Sequence, residues 1–169
     1  TEYKLGGLGT RNEIIATPVI HDNKVFFSLG QDPEHGEGPG HLYAVDGTKT
    51  GNVSTSGAVW HNDEVGRAMS TVAIHDGVLY HCDLSGLFRA LDVNTGEILW
   101  EHDVESAVWG SPYVVDGKVY LGDEDGDVVV LQAGREKKIL AELNISSSVY
   151  MTPVAANGVL YVASKDRLF

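Results

Sequence analysis

An all-β fold built from repeated four-stranded units is what this chain of 169 residues predicts, on three observations. Gly is frequent, with 20 residues, and Val, Tyr and Leu recur in short runs bounded by Asp-Gly or Asn-Gly turns. That is the pattern of hairpins, and no long segment repeats its apolar residues with a helical period. A Thr or Ser also recurs in register at Thr17, Thr71, Ser111 and Thr152, at intervals of 54, 40 and 41 residues. Each stands six positions before a turn residue, Asn23, Gly77, Gly117 or Gly158, and an aromatic follows each turn residue by three: Phe26, Tyr80, Tyr120 and Tyr161. A repeat of about 40 residues matches the blade of a β-propeller, a four-stranded sheet that buries its faces only by stacking on its neighbours.

The elements follow in order. Thr1 to Glu13 reads as the last strand of a preceding blade, and the repeated units are read as 14–61, 69–103, 109–143 and a truncated 150–169. Strand A of successive units is Ile15 to His21, Val72 to His75, Pro112 to Val115 and Pro153 to Ala156. Strand B is Val25 to Leu29, Val78 to Cys82, Val119 to Gly122 and Val159 to Ala163. Between them stand Asp22-Asn23, Asp76-Gly77, Asp116-Gly117 and Asn157-Gly158, which favour the tight turns of two-residue hairpins. Strand C covers Leu42 to Val45, Leu87 to Leu91 and Val128 to Leu131, with Leu168 and Phe169 opening a fourth copy. Strand D carries Val59-Trp60, Ile98 to Trp100 and Ile139-Leu140. The first unit is lengthened between strands B and C by 31–41 and between C and D around 52–56. About three complete blades with partial ones at both ends cannot close a ring of 4 to 8 blades, so a longer propeller of about 7 or 8 is expected. Closure by two or more copies is the alternative.

Counting back eleven residues from Thr71 and Ser111 reaches Trp60 and Trp100, whereas the same count from Thr152 reaches Ala141. A large aromatic at a repeated strand end is expected to dock on the adjoining blade, at about 2 to 3 kcal/mol each. The third junction must pack differently.

Charge narrows the partners. With 12 Lys plus Arg against 24 Asp plus Glu, the formal net charge is −12, which argues against nucleic acid and against anionic lipid. No apolar stretch of about 18 residues suggests direct membrane insertion. The single cysteine, Cys82, forbids an internal disulfide and reads as a small core residue. Asp123-Glu124-Asp125-Gly126-Asp127 resembles a calcium loop, but the positions needing Gly and Glu hold Val128 and Gly134, so it reads as a charged B-to-C turn. The candidate metal ligands are His35, Glu37 and His41, in a loop whose glycines would let it fold back on a divalent ion. The competing reading is a solvated or partner-contacting loop. His21 and His75 recur in register as strand-end residues, and His61, His81 and His102 lie beside strands with no nucleophile pattern.

The run Ala90-x-Asp92-x-x-Thr95-Gly96-x-x-x-Trp100 resembles the tryptophan-docking motif of the PQQ-like, or quinoprotein-type, β-propeller repeat family. Ala44-x-Asp46 with Thr50-Gly51 is a second copy stretched by one residue ahead of Trp60, and Leu131-Gln132-Ala133-Gly134 is a degraded third. Ser111-Pro112-x-Val114-x-Asp116-Gly117-Lys118-Val119-Tyr120-x-Gly122, followed by Asp125-Gly126, is similar to the family's A-B-C strand pattern. The resemblance implies a WD40-like architecture and spans Ile14 to Phe169. The family includes a lipoprotein of the bacterial outer-membrane assembly machinery and quinone- and calcium-dependent alcohol dehydrogenases. It implies a non-catalytic assembly scaffold with a protein partner, in the periplasm or cell envelope. The alternatives are part of a quinone-dependent (PQQ) dehydrogenase, whose vicinal disulfide one cysteine cannot form, or a ligand-sensing propeller using 31–41.

Overall fold

A computed structural model describes residues 14–30 and 40–169. Among these residues no helix forms, and the strands assemble into successive antiparallel sheets, each ordered as the chain runs. The first sheet is β1 (Val19–His21), β2 (Lys24–Leu29), β3 (His41–Asp46) and β4 (Ala58–Asn62). The second is β5 (Ala73–His75), β6 (Val78–Cys82), β7 (Leu87–Asp92) and β8 (Ile98–Asp103). The third is β9 (Tyr113–Val115), β10 (Lys118–Gly122), β11 (Asp127–Gln132) and β12 (Ile139–Asn144), and β13 (Val154–Ala156) pairs with β14 (Val159–Tyr161). The inner strands β5 and β9 lie side by side. The architecture is a β-propeller with three four-stranded blades and the start of a fourth.

The hairpin chemistry explains the registers. Asp22 and Asn23, Asp76 and Gly77, Asp116 and Gly117, and Asn157 and Gly158 all take positive φ, the geometry of a turn whose twist matches that of its strands. A bulge recurs in the same place in every complete blade, at Ala44/Val45, Ala90/Leu91 and Val130/Leu131, and it re-aims the outer strand just before its docking position.

Several strands differ from the sequence-based bounds. The first inner strand begins at Val19 rather than Ile15, because Pro18 offers no N–H and the Thr17 N–H is bonded outside the sheet, to Thr71 Oγ1 at 3.1 Å. The outer strands run longer than expected, since polar residues continue the ladder through Asn62, Asp103 and Asn144. His61 and His102 therefore lie within strands, in β4 and β8, rather than beside them. β14 stops at Tyr161, and beyond it Val162 pairs with Phe169 and Ala163 bridges Leu168.

The core lies between blades. Phe26, Leu42, Ala44 and Trp60 of the first sheet pack with Val72, Leu79, Leu91 and Val93 of the second. Tyr80, Phe88, Ala90 and Trp100 of the second pack with Val119, Leu121, Val129 and Leu131 of the third, and the Phe88 and Trp100 rings meet edge to face at 5.5 Å. At the next junction, to which the chain contributes β13 and β14, Val128, Val149 and Val162 pack together, and Ala141 stands at the register of the two tryptophans.

Candidate interaction surface

Polar and aromatic side chains cluster in two kinds of place, at the junctions between blades and at the ends of the strands. At the first junction Trp60 Nε1 donates to Val93 O at 3.0 Å, and its ring lies against Gly96, whose φ is 75°. A Cβ there would come within 2.6 Å of the indole, so only glycine fits, by space and by backbone conformation. Asp92 Oδ1 accepts the N–H of Asn94 at 2.8 Å and of Thr95 at 3.3 Å, and its Oδ2 accepts Arg135 Nη1 from the next blade at 2.7 Å. Those bonds hold its carboxyl below its ordinary value, the Arg135 bond contributing most. Trp100 Nε1 donates to Gly134 O at 3.1 Å across the second junction, and Ala90 opposite it is fully buried. Thr95 Oγ1 accepts the Glu97 N–H, Asp46 Oδ1 accepts the N–H and hydroxyl of Thr48, and Gly51 takes a φ of 79° in the open.

The repeated hydroxyls form a ladder around the propeller. Thr17 N–H donates to Thr71 Oγ1, Thr71 N–H to Ser111 Oγ at 2.9 Å, and Ser111 N–H to Thr152 Oγ1 at 2.9 Å. Each blade thus caps the entry of the preceding inner strand, a role the period of the sequence marks without explaining.

At the same end, the B-to-C turns of the second, third and fourth blades are bonded to the crossing that brings the chain in from the previous outer strand. Leu84, Glu124 and Lys165 donate their N–H groups to Arg67, Ala107 and Ser148 carbonyls respectively. Beneath these turns lie two buried aspartates. Asp83 Oδ1 accepts from Ser85 N, Ser85 Oγ and Leu87 N, and its Oδ2 accepts from Gly66 N at 3.1 Å and Arg89 Nη1 at 2.7 Å. Arg89 Nε reaches Glu101 at 2.7 Å. Burial opposes ionisation of Asp83, but the Ser85 and Arg89 bonds together outweigh it and hold the carboxyl low. Asp123 occupies the equivalent place in the third blade, with Val129 where Arg89 stands and Glu142 where Glu101 stands. Its Oδ1 accepts the Asp127 N–H, its Oδ2 is buried with no partner, and burial pushes its carboxyl up.

On the surface above Asp123, Trp109 and Tyr150 meet at 76° with ring centroids 6.4 Å apart, and Glu124 lies between their polar ends. Trp109 Nε1 donates to Glu124 Oε2 and the Tyr150 hydroxyl to Oε1, both at 3.2 Å. Sequence reasoning did not single out Trp109 or Tyr150, and met Glu124 only within the charged 123–127 turn. The available signal was register, since Met69, Trp109 and Tyr150 each stand two residues before a ladder hydroxyl.

The expected metal ligands divide. His35 and Glu37 lie outside the described residues. His41 is buried in β3, and its Nδ1 lies 2.9 Å from His61 Nε2, with Tyr43 stacked on the His61 ring at 4.3 Å. Burial first, then His61, lowers the His41 pKa. Among the described residues no three His, Cys, Asp or Glu side chains group closely enough to hold a metal ion. Cys82 is buried and its thiol is pushed well up, by burial above all. His81 is fully buried with neither ring nitrogen bonded, and its pKa falls to about 4, again chiefly by burial.

A family model described as outer membrane protein assembly factor BamB matches residues 38–137 and 89–169. Over 157 residues the chain is 26% identical to the outer membrane protein assembly factor BamB of Escherichia coli strain K12, which covers 92% of this chain and 36% of that relative. It is 30% identical over 126 residues to the dehydrogenase subunit of a quinone alcohol dehydrogenase of Gluconobacter oxydans, covering 66% of this chain and 16% of that one. The crystal structure of BamB from Moraxella catarrhalis superposes with a TM-score of 0.72 at 20% identity, over 93% of this chain and 42% of that one. The chain therefore spans less than half the length of each.

Proposed function

The chain belongs to the PQQ-like β-propeller repeat family, through the model described as outer membrane protein assembly factor BamB, and from that premise we propose that it is a non-catalytic scaffold of the bacterial cell envelope. It binds a protein partner and serves the assembly of outer-membrane proteins. The observation that carries the reading is the family match itself, which spans 38–169. The geometry is in keeping with it. The interior is consumed by blade-to-blade packing, which leaves the strand-end turns as the place for recognition on a rigid frame. Depleting the protein in its own cells is expected to lower the amount of folded outer-membrane β-barrel proteins; unchanged levels in fully depleted cells would overturn the proposal.

A second reading, part of a quinone-dependent dehydrogenase, is favoured by the Gluconobacter relative. Alcohol-dependent dye reduction by the purified chain supplied with pyrroloquinoline quinone and calcium would support it. The loop reading has its own test: zinc calorimetry on the wild type and on the His35→Ala and His41→Ala variants, where equal affinity removes it.

A further inference from the structure

We propose that Trp109, Tyr150 and Glu124 form a recognition site for an arginine side chain carried on a basic segment of a protein partner. The proposal rests on the scaffold reading and names the chemistry of the partner.

The second and third blades differ at two corresponding positions. In the second blade the two corresponding positions are Met69, half-buried, and Leu84, 7% exposed, so the fold is satisfied there by apolar packing. In the third blade they become Trp109, 37% exposed, and Glu124, and the next crossing brings Tyr150 beside them, 39% exposed. The change puts two amphipathic aromatics and a carboxylate where the architecture does not need them. Exposed aromatic surface of this kind is a common anchor of interfaces.

The geometry then selects the ligand. The two donors on Glu124 are neutral, an indole N–H and a phenol O–H. A carboxylate has about four lone-pair sites, so roughly two remain for an incoming group. No ion pair among the described residues includes Glu124. A planar cation can lie on an aromatic face and donate to the adjoining carboxylate at the same time, which a guanidinium does better than an ammonium. The surroundings favour positive charge: Glu105 and Asp125, both exposed, belong to the crossing and the turn that form the site, and the whole chain carries −12. Lys165, at the corresponding ring position of the fourth blade, makes no ion pair with Glu124.

The test uses a labelled peptide of alternating Gly and Arg, its counterpart with Gln in place of Arg, and the whole chain, read by fluorescence anisotropy at low and high salt. The wild type is expected to bind the Arg peptide and not the Gln peptide. Glu124→Gln should weaken binding by about tenfold or more, as loss of a charged hydrogen-bond partner does. Trp109→Leu should weaken it by about threefold, the scale of an exposed cation–π contact. Asp116→Asn, the same change of charge on an exposed turn at the opposite strand end, should leave it unaltered. No binding of the Arg peptide, equal binding of the Gln peptide, or an Asp116→Asn effect equal to that of Glu124→Gln would each overturn the proposal. Peptide binding with normal β-barrel levels in depleted cells would instead sink the assembly reading and leave this site standing.

Discussion

Replacing Arg89 by Met isolates the one buried ionic network of the described core. Arg89 and Asp83 are 6% and 1% exposed in their side chains and 2.7 Å apart, whereas Glu101 on the far side is 50% exposed. The Glu101 contact is screened by water and contributes at most about 1 kcal/mol. Removing the guanidinium from Asp83 strands a buried charge, which costs about 3 to 5 kcal/mol at neutral pH. In urea, at a slope of about 2 kcal/mol per molar, that lowers the unfolding midpoint by about 2 M, easily read from tryptophan fluorescence. The pH dependence separates this cause from mere loss of packing. In the wild type the Asp83 carboxyl titrates below its ordinary value of 3.8, so its contribution is complete above that value and is lost as pH falls through the lowered one. In the variant the carboxyl is buried without its cation, as Asp123 is, and must titrate higher. The cost of the substitution should therefore be largest at neutral pH and shrink as the medium is acidified through the carboxylate range. Asp83→Asn combined with Arg89→Met should recover most of the loss at neutral pH. A cost independent of pH, or no recovery in the double variant, would refute the electrostatic account.

Gly96→Ala should cost about 1 to 2 kcal/mol for its positive φ alone and more from the clash with the Trp60 ring, lowering the midpoint and raising Trp60 exposure. Thr71→Val keeps the shape but removes the hydroxyl that receives the Thr17 N–H, and should cost about 1 kcal/mol and speed hydrogen exchange at Thr17. The pKa of His81 falls from 6.5 to about 4 on folding, so the unfolded chain binds more protons between those values and stability should decline as pH drops across them. His81→Leu, which copies Leu121 at the same register of the third blade, should flatten that slope and be neutral or stabilising at pH 7. Val129→Arg should give Asp123 the cation its counterpart has and bring its carboxyl from above to below the ordinary value, measured by carboxyl NMR.

The fold was legible in the sequence because blades repeat. Four turns with residues suited to positive φ, a hydroxyl at a constant distance before each, and two tryptophans at one register position place almost every strand, since each signal is local and recurs. The limits of the strands were less legible. Whether Thr17 joins its own sheet depends on an acceptor 54 residues away.

What singles this chain out within its architecture lies at positions where the blades disagree, and there periodicity alone is silent. One register between the third and fourth strands holds a Tyr43–His61 stack in the first blade, Arg89 with Glu101 in the second, and Val129 beside Glu142 in the third. Each solution is decided by a partner on another strand or another blade: His41 for the first, Asp83 for the second, and His102 of the neighbouring sheet, 3.2 Å from Glu142, for the third. The same holds at the surface. Trp109 and Glu124 are ordinary residues of a crossing and a turn until folding brings them together and sets Tyr150 from the next blade against both. A repeat scaffold can carry such departures because each blade needs only its junctions to be satisfied. Positions outside the junctions are free to differ, and the third blade uses that freedom where its turns meet solvent.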